Sequence, residues 1–573
     1  MKTYYLTILF FLIFIADDVK AQALSWEWAK GIGGIGGGYA NSMTIDLFDD
    51  TYTTGYLYGT CDFDPGSGVL NLTTNGYNDI FISKLDGSGN LVWAKIIGGI
   101  IQDMGSAITV DTAGSIYLTG FFGDTVDFNP GPDTFNLISI ADQDMFISKL
   151  DSAGNFMWAR QINSSIGHAG ASPLSITLDN SGNIYITGTF EGTVDFDPDS
   201  VGVFNLTSDW GGDIFIAKYS SIGSLLWVQK TGNNYPDIGL SIFVDLTGNV
   251  YSTGSFSGTV DFDPDSLANF YLTSSGGTNA FISKLDSSGN FVWAKKLSAN
   301  PGSYCEGHSI KIDEFDNMNV AGYFQGTVDF DPDSVANYYL TSPGSQNAFI
   351  CKLNQAGNFV WAKQITGTYS IASSLIVDSS NNIYFTGIYE GLVDLDPDST
   401  GIYNLTSVGQ DDVFICKLDS GGNFIWGKSI GGTNWDNCNS IALNSSGSVY
   451  LAGYFFSPSM SFDSLILANS DSTGNSANIF IAKLGAINTG IETTAANNNL
   501  YIYPNPATNI LNISLPNHLP PNSFITINDM QGRVIKEEKI SQNNSTIQVD
   551  VSALTQGVYL LRINGQVQRF VKM

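Results

Sequence analysis

The chemistry-bearing residues of this chain come in a repeated phrase. Val194-Asp195-Phe196-Asp197-Pro198-Asp199 returns as Val260-Asp261-Phe262-Asp263-Pro264-Asp265, Val328-Asp329-Phe330-Asp331-Pro332-Asp333 and Val393-Asp394-Leu395-Asp396-Pro397-Asp398. It weakens to Asp62-Phe63-Asp64-Pro65, Asp127-Phe128-Asn129-Pro130 and Ser461-Phe462-Asp463. Acids two apart on an extended segment point to one side, and a hard cation wants several carboxylate oxygens on flexible loops. Asp195, Asp197, Asp199, Asp261, Asp263, Asp265, Asp329, Asp331 and Asp333 are therefore the calcium candidates, and no other cofactor is suggested. The competing reading is a solvated turn. The phrase lacks the Gly and the distant Glu of an EF-hand loop, it recurs with every repeat, and Asp-Pro starts turns by local side-chain bonding. The turn is the preferred reading.

A second acidic series, Asp103, Asp237, Glu306 and Asp436, precedes a Ser that opens a strand, and is expected either to rim a channel or to bond local backbone N–H groups. Of the three histidines, His168 and His308 fall before similar strands and His518 lies near the C-terminus. No Gly-x-Ser-x-Gly elbow, His-Glu-x-x-His helix or phosphate-binding loop is present. A glycosidase using paired carboxylates stays open, because 54 acids offer many pairs. Departures from the repeat consensus look scattered, with Cys305, Glu306 and His308 the one compact oddity.

The elements that must carry these residues are short strands. A Trp closes a similar phrase at Trp28, Trp93, Trp158, Trp227, Trp293, Trp361 and Trp426, and a Phe marks another at Phe81, Phe146, Phe215, Phe281, Phe349, Phe414 and Phe480. Within one unit, Ser241–Asp245, Val250–Gly254, Ala280–Asp286 and Phe291–Lys295 read as four strands, with Gly-Asn turns supplying positive-φ residues. Four-stranded units repeated in this way predict a β-propeller, here seven-bladed. The seventh unit stops at Leu484 without its Trp strand, while Leu24–Lys30 is an unattached Trp strand. The two halves are expected to complete one sheet and remove its free edge. An open solenoid is the runner-up. The phrase Asp286-Ser287-Ser288-Gly289-Asn290-Phe291-Val292-Trp293 resembles the SBBP-type propeller repeats of secreted bacterial proteins, over about residues 24–484; it speaks for fold and little for function.

A net charge of −30 with 24 basic residues excludes nucleic acid, whose binding needs clustered Lys and Arg. Residues 1–23, with an apolar run from Tyr4 to Ala16 and small residues before Ala21 and Ala23, read as a secretory signal peptide, too short to span a bilayer. No later stretch reads as a membrane span. Five cysteines are too few for a disulfide scaffold, and an odd number leaves at least one unpaired. Cys351 and Cys416 read as small buried fillers.

After a polar linker at 485–498, residues 499–573 change character. Tyr503-Pro504-Asn505-Pro506, Asp529-Met530-Gln531-Gly532-Arg533, Leu554-Thr555-Gln556-Gly557-Val558-Tyr559 and a basic last strand are punctuated by period-two alternation, as in a small β-sandwich. These motifs, in this order, resemble the type A C-terminal sorting domain of the Bacteroidetes type IX secretion system, with an Ig-like sandwich fold. The resemblance implies the secretion machinery as a partner, and release or attachment at the outer cell surface. The fold class expected is thus all-β, a seven-bladed propeller followed by a small sandwich. The function expected is a non-catalytic binding or adhesion module with an extracellular glycan or protein ligand. The alternative is a secreted carbohydrate-active hydrolase or lyase working at the channel mouth.

Overall fold

A computed structural model describes residues 24–486, apart from 140, 166–169, 200–201, 266, 275–276, 334 and 399–400, together with 501–503, 507–514, 524–529, 534–539, 546–555, 557–563 and 566–572. The signal-peptide and most of the linker reading, His168, His518 and the Pro504-Asn505-Pro506 and Met530–Arg533 motifs lie outside the described residues. Every described element is a strand. Two compact units divide at Ile487/Asn488.

In the first unit, alternating and β-branched residues form four-stranded antiparallel sheets. The fourth sheet is Ile238–Val244, Val250–Phe256, Asn279–Leu285 and Phe291–Ala299, paired in that order. Among the described residues this meander occurs seven times. Its second and third strands are buried along their whole length, which explains their near-continuous apolar runs; the fourth alternates and leaves Val292 facing solvent. The seventh sheet takes Asp436–Leu443, Val449–Phe455 and Asn478–Ala486 from one end of the unit and Leu24–Gly34 from the other. Leu24 pairs with Ala486 and Ile32 with Ile479, so the third strand runs two residues past the expected Leu484.

Successive sheets are fastened by two recurring devices. The indole N–H of four of the fourth-strand Trp residues reaches the following sheet's Asp-x-x-Gly-Asn turn: Trp28 donates to Gly87 O at 3.2 Å, and Trp93, Trp227 and Trp361 donate to Ser152 O, Ser287 O and Ser420 O at 3.3 Å. Asp286 builds that turn by accepting from the backbone of Ser288 and Asn290 and from the Asn290 amide. Desolvation opposes its charge, but these bonds hold the carboxyl below its ordinary value. Gly289 closes the turn at φ 84°, where a Cβ would stand 2.9 Å from the Trp227 ring, so backbone conformation and packing both require glycine there.

The second device sits on the first strands, each of which carries a β-bulge followed by a small residue. The hydroxyls of Ser42, Ser175, Ser241 and Ser309 accept the backbone N–H of Ile108, Ile242, Ile310 and Leu375 in the next sheet, at 3.1–3.3 Å. Ser440 of the seventh sheet makes the same bond to Met43 of the first, at 3.1 Å. Asn41 and Asn439, the bulged residues, likewise donate to Gly105 O and Ala40 O. Ala107 occupies the serine position in the second sheet. Ala107→Ser is expected to add the missing hydroxyl opposite Ile176 and raise stability by about 0.5–1 kcal/mol, read as a higher urea midpoint with unchanged slope.

The structure adds an element absent from the sequence reading. The connection between second and third strands is itself a small hairpin, such as Thr193–Asp195 with Asn205–Thr207. Three of these hairpins also pair with the preceding sheet's outer strand, Asn163 with Asp195, Ser298 with Asp329 and Gly33 with Asp62, and a fourth bridges its end through Gly431 and Ser461.

The second unit folds as two sheets, Tyr501–Tyr503, Ile510–Ser514 and Thr546–Asp550 in one, and Val534–Lys539, Phe524–Asp529, Gly557–Ile563 and Gln566–Lys572 in the other. The alternation buries Leu511, Ile513, Ile525, Ile527, Val549, Leu561 and Ile563 in a core of its own, with Tyr559 stacked on Phe570.

Candidate functional site

The first strands of all seven sheets converge on one cavity of about 310 Å³. Its wall is set by the bulges, which turn Asn41, Ser106, Leu174, Leu240, His308, Ser373 and Asn439 toward it. Strand alternation puts the residues two and four places before each bulge, and their partners on the second strand, on the same side at one end.

Those positions are not equivalent around the unit. In the fifth, sixth, seventh and first sheets they include Tyr304, Glu306, Tyr323, Tyr369, Glu390, Trp435, Asn437, Tyr454, Phe456, Tyr39, Tyr56 and Tyr58, beside Gln325, Ile371, Ile388 and Gly37; in the second to fourth they hold mostly small or aliphatic residues, with Gln102, Phe121 and Glu191 the exceptions. The aromatic residues touch across sheet boundaries. Tyr39 stacks on Tyr56 at 4.8 Å and meets Tyr454 edge-on at 4.6 Å, and Phe456 joins Tyr454 to Trp435. Tyr304 stacks on Tyr323, against which His308 stands edge-on at 5.2 Å. Trp435 is 53% exposed and the tyrosines half-buried, so ring faces remain available. Burial pushes the Tyr56 and Tyr323 phenols up to about 12, with Tyr454 and Glu306 respectively adding to it, so they stay neutral hydrogen-bond donors.

Within this arc Glu306 accepts from the hydroxyls of Ser255 and Tyr304, and its other oxygen lies 3.1 Å from His308 Nε2. Burial raises its affinity for a proton, but the bonds from His308, Tyr304 and Ser255 outweigh this and hold the carboxyl below its ordinary value. Asp411 is raised, by burial and then by the charge of Glu390.

The second acidic series therefore divides. Asp103, Asp237 and Asp436 are fully buried between sheets and accept backbone N–H bonds, Asp103 from Gly99 and Gly123, Asp237 from Asn233 and Ser257, Asp436 from Gly432 and Ser457. Glu306 is one residue out of step with them. Cys305 holds the equivalent place, so alternation turns Glu306 to the mouth.

The Asp-Phe-Asp-Pro phrase lies in the hairpin connections. Its Phe is a core residue: Phe63, Phe128, Phe196, Phe262 and Phe330 are buried against Phe81, Phe146, Phe215, Phe281 and Phe349. Its first Asp closes the loop. Asp195 accepts from Asp197 N and Phe204 N, Asp261 from Asp263 N and Phe270 N, and Asp329 from Asp331 N and Tyr338 N. The middle residues Asp197, Asp263 and Asp331 accept from the backbone of Asp199, Asp265 and Asp333. This is turn chemistry, and among the described residues no three His, Cys, Asp or Glu side chains come together as a ligand set. All five cysteines are buried and unpaired, and burial pushes the Cys438 thiol up to about 11.

The sequence reading missed the aromatic arc. Its deviations from consensus are not scattered: they gather on four neighbouring sheets. The signal was the pair of positions two and four residues before each bulge, visible only once the bulge fixes the alignment of the repeats.

In the second unit the pairing of Gly557–Ile563 with the basic strand Gln566–Lys572 brings the C-terminal motif strands together. Residues 501–573 match the secretion system C-terminal sorting domain. This sorting domain marks the chain as a secreted protein, delivered by the type IX system to the cell surface or extracellular space. Its partner is that secretion machinery, and no helix among the described residues is long and apolar enough to cross a membrane. The chain is 25% identical over 507 residues to the uncharacterized WD repeat-containing protein L264 of Acanthamoeba polyphaga mimivirus, covering 75% of this chain and 36% of that one, about a third of the relative's length. Similar solved structures include a protein of unknown function from Bacteroides caccae (10% identity, 66% of this chain and 93% of that one, TM-score 0.28). Another is Sqt1 from Chaetomium thermophilum (9% identity, 75% and 97%, TM-score 0.32).

Proposed function

We propose that residues 24–486 form a closed seven-bladed β-propeller of the SBBP-type repeat, exported by its sorting domain, that serves as a non-catalytic binding or adhesion module. Its ligand is a glycan held on the aromatic arc at the channel mouth. The observation that carries this reading is the confinement of Tyr39, Tyr56, Tyr304, Tyr323, Tyr369, Trp435 and Tyr454 to four adjacent sheets. Flat, neutral ring faces suit the apolar faces of sugar rings, while Glu390, Asp411 and Asn437 offer acceptors and donors to hydroxyls. Glu306, with both oxygens engaged, shapes the wall.

A glycan array probed with the mature chain tests this. Reproducible binding without turnover is expected, weakened at least about tenfold in Trp435→Ala and Tyr323→Ala. Release of reducing sugar would overturn the non-catalytic reading in favour of a hydrolase or lyase. That second reading rests on Asp411 and Glu306, whose surroundings push their proton affinities in opposite directions; it requires turnover to disappear in Asp411→Asn.

A further inference from the structure

The lysines of the repeat pattern are consumed locally. Lys84 pairs with Asp50 at 2.9 Å, Lys352 with Asp313 at 2.8 Å and Lys483 with Glu27 at 2.9 Å, while Lys149 and Lys417 donate to the phenols of Tyr117 and Tyr384. Lys311 is outside that pattern. It lies two residues beyond Ser309 on the fifth sheet's first strand and is, among the described residues, the one Lys or Arg lining the central cavity. Among the described residues no carboxylate lies within ion-pair distance of its ammonium, whose near neighbour is the Phe243 ring, 5.6 Å away at the centroid. The equivalent places in the first three sheets are Thr44, Thr109 and Thr177, which line the same cavity.

We propose that the central cavity binds a small oxyanion, a carboxylate, phosphate or sulfate, against Lys311. The fold supplies what such an anion needs: one uncompensated cation, three threonine hydroxyls at the same level, and, at the bulges, the Ser373 hydroxyl and the second amide hydrogens of Asn41 and Asn439, whose first serve Gly105 O and Ala40 O. A volume of about 310 Å³ admits such an ion with a few waters. Burial lowers the proton affinity of the Lys311 amine, a cost that an anion beside it offsets. Lys311 and the threonines stand three residues after the bulges and the aromatic arc two to four before them, at the other end of the strands, so either can fail without the other.

The test is calorimetric titration of the mature full chain with sodium phosphate, sodium sulfate and sodium succinate, at ionic strength held constant with sodium chloride. At least one should bind with saturable heat, which identifies the oxyanion. Lys311→Met should weaken that binding at least about tenfold, and Lys311→Arg should retain most of it. Lys311→Met is expected to fold, because Ile376 and Ala442 occupy the equivalent positions in the sixth and seventh sheets. If it melts early, Thr109→Val with Thr177→Val carries the test, since loss of two hydroxyls must also weaken binding. Equal binding by wild type and Lys311→Met, or no saturable heat with any of the three anions, overturns the proposal.

Discussion

Deleting Leu24–Gly34 is expected to abolish the cooperative unfolding transition of the first unit, although the deletion removes only one strand. That strand contributes the outer edge of the seventh sheet, in register from Leu24 with Ala486 to Ile32 with Ile479. It buries Trp26, Trp28 and Ile32, and seats Trp28 on the turn of the first sheet through Gly87 and Gly89. Each large apolar side chain contributes about 1.5–3 kcal/mol, so the three together approach a typical whole-domain stability of about 5–15 kcal/mol. The loss also exposes the backbone edge of Asn478–Ala486, which invites aggregation. Circular dichroism melts and limited proteolysis of the deleted chain would show early, broad unfolding, rescued by a synthetic peptide spanning the missing strand. A melting curve unchanged by the deletion would show that the last sheet is stable without it.

Stability should fall as pH rises from about 6 to about 7.5, the reverse of ordinary acid denaturation. Burial pushes the carboxyls of Asp103, Asp237 and Asp436 up to about 7, and the charges of Asp79, Asp213 and Asp412 on the preceding sheets add to it. A folded-state value raised above the unfolded one, about 3.9 for Asp, gives stability that is fully present below the unfolded value. That stability is lost as pH climbs through about 7. Over this window each group removes about 1.3 kcal/mol, and the three together about 4 kcal/mol. Urea midpoints measured across the window check the slope. Substituting all three by Ser, the residue that the sixth sheet carries as Ser370, should flatten it even where overall stability drops. A rise in stability with pH would contradict the burial of these pairs.

Much of this architecture is legible in the residues. The Trp and Phe spacings, the Asp-x-x-Gly-Asn turns and the orphan Leu24–Lys30 strand foretell the meander and its shared last sheet, because each follows from local turn chemistry and period-two burial. The hairpin connections were not legible. Thr193–Asp195 and Asn205–Thr207 are each three residues long, too short for periodicity to register. The Asp-Phe-Asp-Pro acids drew attention as ligands because side-chain count is visible in a sequence, whereas the burial of Phe196 and Phe330 that spaces them is not. The candidate site was the least legible part. Proximity to a serine groups Glu306 with Asp103, and a single-residue offset sends the two to opposite faces of a strand.

The strand shared between the ends of the first unit also dictates an order of events. Leu24–Gly34 and Asn478–Ala486 are synthesised first and last, so the final sheet cannot be completed until all the others have left the ribosome. Until then both segments keep an unsatisfied edge, and the contact that joins them has nearly the greatest sequence separation the unit allows, which makes it slow.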